Sequence, residues 1–152
     1  MEKQRTVAHQ LKITANKTTR LAEVSIPAEV RRDVTPVQSH IVGYLYHNRE
    51  RALYQRDVEA EFSIGRATAS KLLTAMERGG LIRRSAVAGD ARLKKLELTL
   101  LGEQAHLCME PIVLALDRKL IHGISPEELS AFQTTLEKLR RNVQASINQQ
   151  EK

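Results

Sequence analysis

Hydrophobic positions recur along most of this chain at intervals of three and four, the spacing that lines one face of an α-helix. Residues 6 to 23 place Val7, Leu11, Ala15, Thr18 and Leu21/Ala22 on such a face. Pro27, within the stretch Ser25 to Asp33, predicts a break. Thr35-Pro36-Val37-Gln38 then has the chemistry of a helix start: a hydroxyl for orphan N–H groups, proline at the first helical position and glutamine three residues after the cap. A helix over about 36–48 follows, with Val37, Ile41, Tyr44 and Leu45 as its apolar face. Two shorter helices are predicted over about 55–61 and 66–78, separated by Ser63-Ile64-Gly65, and two helices joined by a tight glycine-containing turn suggest a helix-turn-helix.

The period changes after Gly79-Gly80, which end the second of these helices. Residues 81–87 and 92–98 flank Ala88-Gly89-Asp90-Ala91, and Leu96 and Leu98 alternate with Lys95 and Glu97, so a β-hairpin with a four-residue tip is expected. A hairpin directly after a helix-turn-helix is a wing. Helical spacing then resumes. Thr99 caps a helix over about 100–122 in which Pro111 predicts a kink, and Gly123 closes it. Ser125-Pro126-Glu127-Glu128 opens a last helix whose seam is Leu129, Phe132, Leu136, Leu139, Val143 and Ile147, ahead of a polar tail, frayed from Asn148 on. A seam of that length has to be covered, by the first helix, by a second subunit, or by both. The fold class is therefore mainly α with a small β-hairpin.

Charge changes the picture at one place. The 152 residues carry 24 Lys and Arg against 18 Asp and Glu, a net +6. Residues 66–95 hold all of it: Arg66, Lys71, Arg78, Arg83, Arg84, Arg92, Lys94 and Lys95 against Glu77 and Asp90. A surplus so confined is the footprint of a polyanion, most often nucleic acid. In the helix over 66–78, Ala69, Leu72, Leu73 and Met76 form the core stripe, which leaves Arg66, Ala67, Ser70, Lys71, Thr74 and Arg78 on the other side. Small residues let the backbone approach a groove, and Lys, Ser and Thr reach bases and phosphates.

Other chemistries find less support. Five aromatic residues leave few platforms for stacking on single strands. One cysteine, Cys108, admits neither an internal disulfide nor a thiol-rich zinc ribbon. Phosphate-cradling glycine loops and H-E-x-x-H are absent, so no catalytic residues and no enzyme are expected. The longest apolar run, Ile41 to Tyr46 with Gly43 counted, is far too short to span a membrane, and Met1-Glu2-Lys3-Gln4-Arg5 leads into no signal-peptide core. A cytoplasmic protein without membrane partners is expected. His40 and His47 lie a heptad apart and His106 is near Cys108, but His9, His40, His47, His106 and His122 show no ligand spacing. Zinc sensing through such histidines or thiol sensing by Cys108 is the lesser reading, and ordinary partly buried packing of His40 and Cys108 is preferred; no metal and no cofactor is assigned.

One pattern is more specific. Asp90-Ala91-Arg92, five residues, Leu98-Thr99, two residues and Gly102 fill every fixed position of the wing signature of the MarR family of transcription regulators. Thr68-Ala69-Ser70-Lys71-Leu72-Leu73 and Glu77-Arg78-Gly79-Gly80-Leu81-Ile82-Arg83-Arg84 resemble that family's recognition helix and the start of its wing. The resemblance covers about residues 5–147. It implies a single MarR-like domain over 1–152, with a winged helix-turn-helix over about 35–99 and dimerisation helices over about 5–24 and 100–148. It further implies a homodimer on a pseudo-palindromic double-stranded DNA operator, a sequence-specific transcriptional regulator, and a repressor released by a small lipophilic or phenolic effector. A non-specific, architectural DNA-binding protein is the alternative, and a helical protein-interaction module a third. The DNA-binding residues expected are Arg66, Thr68, Ser70, Lys71, Thr74, Arg78, Arg84, Asp90, Arg92 and Lys94, with Arg92 in the minor groove and Asp90 pairing with it. The effector pocket expected would be lined by Arg20, His40, Tyr44 and His106. Two departures from the family pattern are local: Tyr54 stands where Ser or Thr usually caps the short helix, and the wing tip Ala88-Gly89 carries no charge.

Overall fold

Residues 6–29 and 34–150 are described by the computed structural model. Helix α1 (Val7–Ser25) is capped by Thr6, whose hydroxyl accepts the His9 N–H at 3.3 Å. The expected break follows: α1 ends at Ser25 and Ile26 is extended, while the end of that stretch, residues 30–33, lies outside the described residues. Helix α2 (Pro36–His47) starts as its sequence predicts, with Gln38 N–H donating to the Thr35 hydroxyl at 3.3 Å and Thr35 N–H donating back to the Gln38 carboxamide at 2.9 Å.

A two-residue strand, β1 (Leu53–Tyr54), leads into α3 (Gln55–Phe62), and α4 (Arg66–Arg78) follows. Tyr54 supplies no side-chain cap to α3; the bond made there is the reverse one, Tyr54 N–H to Asp57 Oδ2 at 2.8 Å. The turn between the helices is made by Ser63, at φ +49°, and not by Gly65, whose φ of −70° suits any residue. Ser tolerates that left-handed position less well than glycine. At the end of α4 it is Gly80, at φ +73°, that reverses the chain, with Leu81 N–H bonded to Met76 O at 2.9 Å and Gly80 N–H to Glu77 O at 3.0 Å.

The wing is β2 (Ile82–Val87) and β3 (Asp90–Leu98), joined by Ala88-Gly89 alone, so its tip is two residues long where four were expected. Pairing runs Ile82↔Leu98 to Ala86↔Lys94 and then slips to Val87↔Asp90, a bulge that leaves Ala91, Arg92 and Leu93 without partners on β2. β1 pairs with the other edge of β3 through Leu53↔Leu96, giving the order β1-β3-β2. Ile41, Val42 and Leu45 of α2, Leu53, Val58 of α3, Leu73 and Met76 of α4, and Leu81, Ile82 and Leu96 close over one core. Each fully buried aliphatic side chain contributes about 1.5–3 kcal/mol, and α4 is held in place by three of its residues, Ala69, Leu73 and Met76.

Helix α5 (Leu100–Leu120) runs on through Pro111 as one helix. The chain divides into two units, one up to Leu116 and one from Asp117 on. The second contains the end of α5, a turn closed by Gly123 at φ +80°, and α6 (Pro126–Gln150), which Ser125 and Glu128 cap reciprocally at 3.2 and 2.8 Å. The helix continues to Gln150, through the start of the polar tail expected from Asn148 on; residues 151–152 lie outside the described ones. Neither α1 nor α6 has a buried residue in the single chain, and Val7, Leu11, Phe132, Val143 and Ile147 are exposed.

Candidate nucleic-acid interface

Burying the Ala69-Leu73-Met76 stripe turns Arg66, Ala67, Thr68, Ser70, Lys71 and Arg78 outward, with Thr74 half-buried. Beside this face Arg66, Ser70, Arg84, Arg92 and Lys94 line one cleft of about 470 Å³, so five of the ten residues expected to bind DNA come together around a single concavity between α4 and the wing. Arg56 of α3 joins them, its guanidinium 5.3 Å from the centre of the Tyr54 ring. Thr68, Lys71, Thr74, Arg78 and Asp90 stand outside the cleft.

The cations divide sharply by partner. Arg84 is half-buried, with Nη1 2.9 Å from Glu77 Oε2 and 3.4 Å from the Thr74 hydroxyl, so its charge is committed inside the fold. Arg83 and Lys95 converge on Glu97 at 3.1 and 3.0 Å, and Ser85 donates to the same carboxylate at 2.5 Å. These bonds, that of Ser85 foremost, lower the Glu97 pKa to about 2. Among the described residues Arg66, Lys71, Arg78, Arg92 and Lys94 form no ion pair, and all five are exposed. The pairing expected of Asp90 takes another form: its Oδ1 accepts the backbone N–H of Arg92 at 2.9 Å and shapes the bulge, leaving the guanidinium unpaired.

A second cleft, of about 490 Å³, is walled by α2, α3 and α5. Three of the four expected effector residues, His40, Tyr44 and His106, line it; Arg20, on α1, does not. Tyr44 meets the Phe62 ring edge-on at 5.9 Å and accepts a hydrogen bond from Arg51 at 2.9 Å. Burial raises the pKa of its phenol, with Arg51 acting in the opposite sense. His106 is buried, and its desolvation lowers the imidazole pKa despite Glu110 nearby. His40 and Cys108 are exposed and not the partly buried packing residues expected. His47, and Glu110, which sequence reasoning missed, also line this cleft.

The MarR family model matches residues 32–93, from before α2 into the wing. MepR of S. aureus, solved in complex with DNA, is 26% identical and superposes with a TM-score of 0.81 over 91% of this chain and 99% of its own. MarR of Oenococcus oeni is 28% identical, with a TM-score of 0.74 over 90% and 99%. Residues 32–93 thus match the MarR family, and the chain shares the fold of these MarR-family regulators. PefR of Streptococcus agalactiae, solved in complex with heme, is 26% identical with a TM-score of 0.59, covering 93% of this chain and 95% of its own.

The MarR wing signature acquires a physical reason at its far end. Thr99 caps α5 by accepting the Gly102 N–H at 3.1 Å, while its hydroxyl also faces the carbonyl oxygens of Gly80 and, at 3.2 Å, Leu81. Gly102 packs so tightly under the wing that a Cβ there would overlap the Leu81 carbonyl oxygen. Threonine and glycine three residues apart thus lock the first turn of α5 onto the base of β2.

Proposed function

We propose that this chain is a sequence-specific DNA-binding transcription regulator, a repressor whose hold on its operator is released by a small-molecule effector. The observation that carries the reading is the segregation of charge. Five exposed cations without ion pairs stand on or beside α4 and at the wing, while the paired cations are committed to Glu77 and Glu97. Ser70 and Thr68 on α4 offer hydroxyls to base edges of the major groove, and Lys71 and Arg78 meet phosphates. Arg92, on a bulge at the wing, enters the adjacent minor groove, where narrow A·T-rich segments concentrate negative potential. Arg84 acts indirectly, by holding Glu77 and Thr74 in place.

MepR, solved with DNA, supports the partner, and PefR, solved with heme, supports a regulator that takes a small ligand. The effector site of this chain is the cleft lined by His40, Tyr44 and His106, and its apolar walls, with Phe62 and Met109, suit a flat lipophilic or phenolic molecule. The working form is a homodimer in which exposed apolar residues of α1 and α6 are covered by a second copy, in the cytoplasm. Among the described residues no helix is long and apolar enough to cross a membrane. No catalytic reaction is assigned.

Selection of bound sequences from a random double-stranded DNA pool tests the reading. A pseudo-palindrome with half-sites roughly one helical turn apart, about 10 base pairs, is expected. Binding with no sequence preference would replace regulation by packaging, and no salt-sensitive binding at all would overturn the assignment.

A further inference from the structure

The effector cleft contains a group of side chains that the DNA-binding reading does not use. His47 closes α2, and His106 and Glu110 are one turn apart on α5. One ligand atom from each lies within 4.8 Å of the other two: Glu110 Oε1 is 3.9 Å from His47 Nε2 and 3.7 Å from His106 Nε2. His106 is only 7% exposed, and among the described residues its Nε2 is the buried side-chain polar atom that has no hydrogen-bond partner. An unpaired buried polar group costs about 1–3 kcal/mol, so its direction is informative. It points at the other two ligands. The ring is held there by Tyr46, whose centroid is 4.1 Å away, and by Gly43 of α2, where even a methyl group would touch the imidazole.

We infer that His47, His106 and Glu110 form a binding site for a first-row divalent transition metal ion, zinc(II) in the first instance. The inference rests on the regulator reading for its purpose, since it names the ion as an effector, but not for its existence. Two neutral imidazoles and a carboxylate are a donor set suited to zinc, and three protein ligands leave a fourth tetrahedral position for water. Bonds of about 2.0–2.2 Å would bring the ligand atoms to within about 3.4 Å of one another. The contraction required is small for His47 and Glu110, which are 61% and 40% exposed and free to turn toward the fixed His106. The ion would then join the end of α2 to the middle of α5, and a ligand that prefers one arrangement of two elements shifts the population toward it. Cys108 is exposed and takes no part.

The test uses the full chain after treatment with a chelator, titrated with cobalt(II) and then with zinc(II), and the selected operator for a parallel DNA-binding measurement. The expected result is an intense d–d absorption of tetrahedral cobalt, displaced by one equivalent of zinc per chain, with affinity lowered about tenfold or more in His47→Ala and in Glu110→Gln. These two positions are exposed enough for the variants to fold where His106→Ala could fail. Operator affinity is expected to differ at least about fivefold between zinc and chelator. A missing d–d band, or a band of affinity equal to wild type in both variants, overturns the site and leaves His106 and Glu110 as neighbours on α5 without a metal between them. Metal binding with an unchanged operator affinity overturns the effector role. Metal binding without any DNA binding would leave the site standing and remove the regulator reading instead.

Discussion

Salt dependence offers the most direct measurement of how the cations are divided. If the five unpaired cations of each chain, Arg66, Lys71, Arg78, Arg92 and Lys94, each neutralise one phosphate, a dimer neutralises ten. The slope of log K against log salt would then approach about −9, and a fourfold rise in salt would cost up to roughly 10⁵-fold in affinity. Arg92→Ala removes two of these contacts per dimer and should make the slope shallower by about 1.8. Arg84→Met is the decisive comparison, because composition places both arginines in the same basic patch. Arg84 is 22% exposed and bonded to Glu77 and Thr74, so its loss should leave the slope unchanged and instead lower folding stability by about 1 kcal/mol. Fluorescence anisotropy with a labelled operator over a range of salt, together with urea unfolding of each variant, gives both quantities. An Arg84 variant whose slope becomes as shallow as that of the Arg92 variant would refute the division into committed and available charge.

The remaining predictions concern the wing and its base. Arg92→Ala should weaken operator binding by ~1–3 kcal/mol per site, with the larger loss where an A·T-rich flank narrows the minor groove; equal losses on A·T-rich and G·C-rich flanks in competition binding would exclude groove insertion. Gly102→Ala should destabilise the protein by about 3 kcal/mol or more, read as a fall in urea midpoint, because the new methyl meets backbone and not a movable side chain. Glu97, with its pKa lowered from 4.5 to about 2, contributes stability that is fully present above its unfolded pKa and is lost as pH falls from about 5 toward 2. A shift of that size corresponds to about 3 kcal/mol, and solvent screening at a side chain 25% exposed reduces it to about 1 kcal/mol. Glu97→Gln should therefore flatten the acid limb of stability against pH; a limb as steep as wild type would show that Ser85, Arg83 and Lys95 add nothing there.

The parts of the fold that could be read in advance are those whose cause is local. Thr35-Pro36-Val37-Gln38 and Ser125-Pro126-Glu127-Glu128 carry both halves of a capping box within four residues, and the helices begin where they predict. The stripe of α4 is legible because a helix buries every third or fourth residue. β1 is not, since two residues have no period. The turn before α4 misleads for a different reason: glycine marks it in the sequence, but Ser63 takes the left-handed geometry. Tertiary partners are the least visible. Arg84 meets Glu77 only because the Gly80 reversal folds β2 back along α4, and Asp90 serves the Arg92 backbone because β3 bulges there. The grouping of His47 and Glu110 with His106 is not legible in the sequence, because their spacing becomes meaningful only when α2 and α5 close at Gly43; Arg20, expected in the pocket, sits on a helix that does not line the cleft.

The junction at Leu81 has a mechanical consequence. Its carbonyl oxygen receives the Thr99 N–H at 3.1 Å and the Thr99 hydroxyl at 3.2 Å while Gly102 presses against it, so the wing root and the first turn of α5 are riveted at one atom. His106 stands a single turn further along the same helix. Torque applied to α5 at the cleft has no slack to take up before it reaches the hairpin: the helix is the shaft, the wing its crank arm, and Arg92, near the far end of that arm, travels furthest for the smallest rotation at the root.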